Sequence, residues 1–154
     1  ILREVEAAAS MLEQDYGVAA DVWSLTSINE LQREGKSVQR WNLLHPEEEP
    51  KVPYVTALLR NQTGPFIAAT DYIKAHTDQI REFVPGHFTV LGTDGYGRSD
   101  TRQKLRRFFE VSREYVVLAA LRALADEGKL PASTVGDAMR DLGISPDKID
   151  PMSA

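Results

Sequence analysis

Phe66-Ile67-Ala68-Ala69-Thr70-Asp71 and Phe88-Thr89-Val90-Leu91-Gly92-Thr93 decide the fold of this chain. Each opens with a four-residue run of largely apolar, strand-prone residues and ends in small polar residues, the pattern of a buried strand followed by a turn. Between them Tyr72, Ile73, His76, Ile80 and Phe83 fall on one side of a helix, with Thr70-Asp71 as its cap and Val84-Pro85-Gly86 as its stop. Strand, helix of about a dozen residues, strand is the βαβ unit, which demands a parallel pair joined by a right-handed crossover.

Upstream, Leu2, Val5, Ala9, Leu12 and Tyr16 form an amphipathic stripe that Gly17 ends as a left-handed stop. No capping side chain precedes that helix, so a first strand is expected upstream of residue 1. Ala19 to Leu25 is β-prone through Val22, Trp23 and Leu25 and reads as a further strand. Ser27-Ile28-Asn29-Glu30 is a capping box that opens a helix. Gly35 is expected to interrupt it, Ser37 to start a second piece with Val38, Trp41 and Leu44, and His45-Pro46 to close it. Glu47 to Pro50 is a charged connector, Pro53 suits the first turn of a helix through Leu59, and Asn61 to Pro65 is a turn. After Leu91 the pattern predicts a short helix to Phe109, a long apolar one from Ser112 to Glu127 stopped by Gly128, and a last one capped at Ser133. The fold class is α/β: an open, mostly parallel sheet with helices on both faces.

A length of 154 residues makes one domain, residues 1–154, with 42% hydrophobic and 27% charged residues, the proportions of a globular chain. Its net charge of −5 argues against nucleic acid or an acidic membrane as a general partner. There is no cysteine, which excludes disulfides and thiolate catalysis. Without a signal peptide or long apolar run, a cytoplasmic location is expected.

Ligands of open parallel sheets bind outside the carboxyl ends of the strands. Ser24 to Ser27, Thr70-Asp71 and Gly92 to Asp100 would share that edge, and the candidate ligand-binding or interdomain contacts are Ser27, Asp71, Thr93, Asp94, Arg98, Ser99 and Arg102. Caps use the same residue types, and Ser27 and Asp71 read first as caps, with Ser99 or Asp100 opening the next helix. Arg98 and Arg102 would flank that helix start, a place that favours anions. A bidentate pair from Arg98 to Asp94, to Asp100 or to a carboxylate of another domain is the stronger expectation, with Gly95 or Gly97 at positive φ. Arg106 and Arg107 read as a solvated face or as partners of Asp and Glu. His45, His76 and His87 lack metal-ligand spacing, with His45 suited to a helix C-terminus, and no G-x-S-x-G elbow is present.

Leu91-Gly-Thr-Asp-Gly-Tyr-Gly-Arg-Ser-Asp-Thr-Arg102, Arg40-Trp-Asn-Leu-Leu-His-Pro46 and Ala69-Thr-Asp-Tyr-Ile-Lys74 together resemble, over the whole chain, the C-terminal, transketolase-C-like domain of the homodimeric bacterial pyruvate dehydrogenases. That resemblance implies one module of a larger enzyme that oxidatively decarboxylates pyruvate and passes the acetyl group to the lipoyl arm of dihydrolipoyl acetyltransferase. It implies thiamine diphosphate and Mg²⁺ held by the other domains, and a second subunit as partner, with the module itself not catalytic. The G-D-G and paired-asparagine signature of thiamine enzymes is missing: Gly92-Thr93 precedes Asp94-Gly95 and no Asn-Asn follows. The loop is therefore not read as the cofactor site. The alternative is a regulatory α/β module whose carboxyl-edge cleft takes a nucleotide or acyl-CoA.

Overall fold

Strands β1 (Phe66–Ala69) and β2 (Phe88–Leu91) lie parallel, with Phe66 opposite Phe88 and Ala69 opposite Leu91. The computed structural model describes residues 1–154. Seven α-helices surround the pair: α1 (Leu2–Tyr16), α2 (Ile28–Leu44), α3 (Tyr54–Leu59), α4 (Lys74–Asp78), α5 (Arg102–Phe108), α6 (Arg113–Asp126) and α7 (Ala132–Asp141). Successive strand residues point to opposite faces, and here that alternation separates two cores. Ile67, Ala69 and Leu91 pack with Ala8, Leu12, Val117 and Leu121 of α1 and α6. Phe66, Ala68, Phe88 and Val90 pack with Ile28 of α2, Val55 and Leu59 of α3, and Ile80 and Phe83 of the crossover. Helices thus cover both faces, as the α/β reading requires.

The helix punctuation follows the sequence closely at several ends. Gly17 stops α1 at φ 66° and Gly128 follows α6 at φ 71°. His45 closes α2 with its Nδ1 2.8 Å from the Trp41 carbonyl. Ser27 accepts a hydrogen bond from the Glu30 amide at 3.3 Å, but the Glu30 carboxylate turns to Arg33 at 2.8 Å, so only half of the capping box forms.

Six expectations are corrected. Residues 19–25 are irregular, and the sheet has two strands. Strand propensity is realised only where a neighbour completes the ladder. Here Val22, Trp23 and Leu25 stay partly exposed without one. Gly35 does not interrupt α2: it is buried, and a Cβ there would stand 2.5 Å from Cε2 of Phe83, so the glycine admits a ring instead of breaking a helix. The crossover is shorter than the stripe suggested, since α4 begins only at Lys74 and a 3-10 turn, Arg81–Phe83, follows it. Asp71 does not cap it, and Tyr72 and Ile73 lie exposed before it. Helix α5 begins two residues beyond Asp100, with the Thr101 hydroxyl accepting from the Lys104 amide. Helix α7 begins behind Pro131 with no side-chain cap, which places Ser133 inside its first turn. No helix is long and apolar enough to cross a membrane.

Candidate functional site

The turns that leave β1 and β2 are bonded into one unit. Thr93 donates its amide to the Tyr72 carbonyl at 2.8 Å and its hydroxyl to the Asp71 carbonyl at 2.6 Å. Asp94 accepts from the Lys74 amide at 2.9 Å, with the Lys74 ammonium 3.7 Å from its second oxygen. The cap of α4 is therefore supplied by the second loop. Gly92 makes the approach possible, because a Cβ would lie 2.8 Å from both the Lys74 nitrogen and the Tyr72 oxygen. Gly95 holds φ 96°, and its missing side chain would run into the Pro151 carbonyl of the C-terminal tail. Gly97 keeps an ordinary φ with open space around it.

Beyond these turns a cleft of about 730 Å³ opens along α5. Asp71, Thr93, Arg98 and Arg102 line it, together with Asp100 and Arg106. Of the sequence candidates Ser27, Asp94 and Ser99 stay outside it: Ser27 caps α2, Asp94 caps α4, and Ser99 is exposed on the loop. Arg98 does not pair with Asp94 or Asp100. Both carboxylates are engaged, Asp94 by Lys74 and Asp100 by the Thr101 amide at 2.7 Å and Lys104 at 3.7 Å. Its guanidinium instead lies 4.1 Å from the centre of the Phe108 ring, a cation–π contact. Arg102 makes no ion pair or side-chain hydrogen bond within the chain.

Arg106, read from the sequence as solvated or as a partner of Asp and Glu, takes the second role. It reaches Glu4 of α1 at 3.2 Å, and the same carboxylate accepts from Nε of Arg113 at 3.0 Å. Those hydrogen bonds from Arg113 hold the Glu4 carboxyl below the usual range against an opposing push from burial, with further lowering by the charges of Arg113 and Arg106. One wall of the cleft is thus riveted to α1, while Arg98 and Arg102 remain without a carboxylate.

Arg107 is a partner of carbonyls instead of Asp or Glu, donating to Leu142 and Gly143 at the end of α7. The histidines take separate partners. His45 sits on the Trp41 carbonyl and ring, His76 beside Gln79, and His87 3.1 Å from the Thr89 hydroxyl. No three His, Cys, Asp or Glu side chains gather as a metal site. Mg²⁺ with a diphosphate wants an octahedral set of oxygens. The cleft offers guanidinium groups beside two carboxylates, Asp71 and an Asp100 already engaged by Thr101 and Lys104, a donor set that does not fit that group.

Residues 1–112 match the family described as the transketolase-like TK C-terminal domain. The chain belongs to that family. It is also 55% identical over 153 residues to the pyruvate dehydrogenase E1 component of Pseudomonas aeruginosa, covering 99% of this chain and 17% of that protein. The same component of Cupriavidus necator is 54% identical over 153 residues, and that of Escherichia coli K12 is 48% identical over 155, each again covered to 17% of its length. The family match ends at Ser112, one residue before α6, whereas these relatives align through α6 and α7 as well.

Proposed function

We propose that this chain is the C-terminal assembly domain of a pyruvate dehydrogenase E1, holding other domains and a second subunit in place without itself carrying the chemistry. The reading draws on relatives named pyruvate dehydrogenase E1 component, of whose length the chain spans about a sixth. The observation that carries the structural role is the pair Arg98 and Arg102, two guanidinium groups on one cleft with no carboxylate of their own. Guanidinium is the cation suited to bidentate pairing across an interface. A carboxylate from another domain or from the second subunit is the complement.

In the full-length enzyme, thiamine diphosphate with Mg²⁺ is bound outside these residues and supplies the electron sink for decarboxylating pyruvate. The acetyl group then passes to the lipoyl arm of dihydrolipoyl acetyltransferase, in the cytoplasm. This chain's contribution is orientation, because small displacements of a reacting geometry cost large factors in rate. The test is Arg98→Ala in the full-length enzyme. Melting temperature or dimerisation falls before the turnover of the remaining dimer does. Unchanged melting and oligomeric state with turnover abolished would place the loop in the catalytic step and end the assembly reading.

A further inference from the structure

A second, smaller pocket of about 330 Å³ lies on the other side of α5 from the cleft. Helix spacing separates the two. Arg102, Leu105, Arg106 and Phe109 line the cleft, whereas Lys104, Arg107 and Phe108, at i, i+3 and i+4, line the pocket. Tyr115 of α6 and the turn after α7, with Ser145 and Lys148, complete it. We infer that this pocket binds the phosphoryl group of a small molecule, either free phosphate or a phosphomonoester. The inference goes beyond the assembly reading and uses none of the residues on which that reading stands.

Tyr115 is the residue that points to a ligand. It is only 9% exposed, and a tyrosine hydroxyl buried to that degree ordinarily finds a partner. This one makes no hydrogen bond within the chain, although Arg107, Ser112 and Lys148 nearby all do. No fully sealed side-chain oxygen of the molecule lacks a partner, so the Tyr115 hydroxyl opens onto the pocket that the residue lines. Burial pushes its pKa up, and the Glu110 charge adds to the rise against an opposing pull from Arg107. It therefore keeps its proton at neutral pH and stands as a donor.

The rest of the lining is anchored through its acceptors and leaves only donors over. Arg107 gives Nη2 to the carbonyls of Leu142 and Gly143, with Nε and Nη1 left without a partner and no carboxylate of its own. Lys148 uses two of its three N–H groups on the Phe108 carbonyl at 2.9 Å and on Glu110 at 2.8 Å. Glu110, that anchor, is the one residue other than glycine at positive φ, 62°, a strained conformation of the kind found at ligand sites. Ser145 accepts from the Asp147 amide at 3.2 Å, which keeps its own hydrogen for donation. Lys104 is exposed, 3.7 Å from Asp100. Donors thus arrive from α5, from α6 and from the turn after α7. A phosphoryl group presents three strong acceptor oxygens in three directions, and a guanidinium fork beside ammonium groups is the cation set that suits it.

Isothermal titration calorimetry of the full-length protein, with thiamine diphosphate and Mg²⁺ present throughout, tests the site. The probes are inorganic phosphate and adenosine 5′-monophosphate, each set against chloride at matched ionic strength. Saturable binding is expected, and the tighter of the two probes tells free phosphate from a phosphomonoester as the source. Tyr115→Phe removes a hydroxyl that the fold does not use, so melting in chloride stays as in wild type. It is expected to weaken phosphate binding about 3- to 10-fold, the scale of one hydrogen bond. Lys104→Gln is expected to weaken it by a similar factor, whereas Lys129→Gln, the same loss of charge beyond the far end of α6, leaves it unchanged. No saturable heat beyond the chloride control, an affinity untouched by Tyr115→Phe, or an equal loss in Lys129→Gln overturns the inference. Neither dimerisation nor turnover is read, so the assembly reading and this one fail separately.

Discussion

Glu4 and Arg113 are joined by a two-pronged ion pair across 109 residues of sequence, with Nε of Arg113 3.0 Å from one carboxylate oxygen and Nη2 3.1 Å from the other. The Arg113 amide also donates to Glu4 at 3.1 Å, so the start of α6 is tied to the first turn of α1 by side chain and backbone together. The Glu4 side chain is 12% exposed and that of Arg113 43%, which leaves the pair partly screened.

Replacing Glu4 by Gln is expected to destabilise the fold by about 2 kcal/mol at neutral pH, the scale of hydrogen bonds to a charged group. The folded pKa of Glu4 lies below its ordinary value. Its contribution is therefore fully present above the unfolded pKa and lost as pH falls through the folded one. Denaturant titration of wild type and Glu4→Gln checks this. The stability difference holds from neutrality down to the ordinary carboxylate range and shrinks below it; a difference independent of pH would contradict the assignment.

Gly35 and Phe83 make a second long-range fit. Gly35→Ala is expected to cost about 1–3 kcal/mol by overpacking, because the added methyl meets the ring at 2.5 Å. Combining Gly35→Ala with Phe83→Leu distinguishes this from lost flexibility. A double mutant less stable than the sum of the two single losses would show that the ring is not the obstacle.

The two glycines of the loop predict opposite outcomes. Gly95→Ala is expected to lose about 1–3 kcal/mol, since φ 96° strains any side chain and the Pro151 carbonyl blocks it. Gly97→Ala, with open space and an ordinary φ, is expected to stay within about 0.5 kcal/mol of wild type. Thermal melting of the two single variants decides it, and equal losses would refute the tail contact.

These 154 residues are not expected to bind thiamine diphosphate by themselves. Calorimetric titration with the cofactor and Mg²⁺ is the measurement. A stoichiometric isotherm in the micromolar range would require a cradle that the cleft, lined by Arg98, Arg102 and an Asp100 already bonded to Thr101 and Lys104, does not form.

The parts legible in the sequence are those set by neighbours a few residues apart. Phe66 to Ala69 and Phe88 to Leu91 are legible as short runs of largely apolar, strand-prone residues, and Gly17 and Gly128 stop helices through their own φ. Four candidate residues reached one cleft because a parallel pair brings both carboxyl ends to the same side. Misreadings arose where a distant group decided the outcome. Phe83 explains Gly35, Asp94 takes the capping role assigned to Thr70-Asp71, and Phe108 holds Arg98 away from the carboxylates. The strand at residues 19–25 failed for the same reason, since its propensity had no ladder to join.

The two tryptophans stand in environments that differ enough to be read by emission alone. Trp41 is sandwiched, with the His45 imidazole stacked 4.3 Å away at 8° and the Lys51 ammonium 3.9 Å from its ring, contacts that quench an indole. Trp23 is 46% exposed on the segment without backbone bonds, so it dominates the red-shifted, acrylamide-accessible part of the spectrum. Any contact that covers that segment would move Trp23 to shorter wavelength while leaving Trp41 dim, giving an unlabelled optical signal that can be followed in real time.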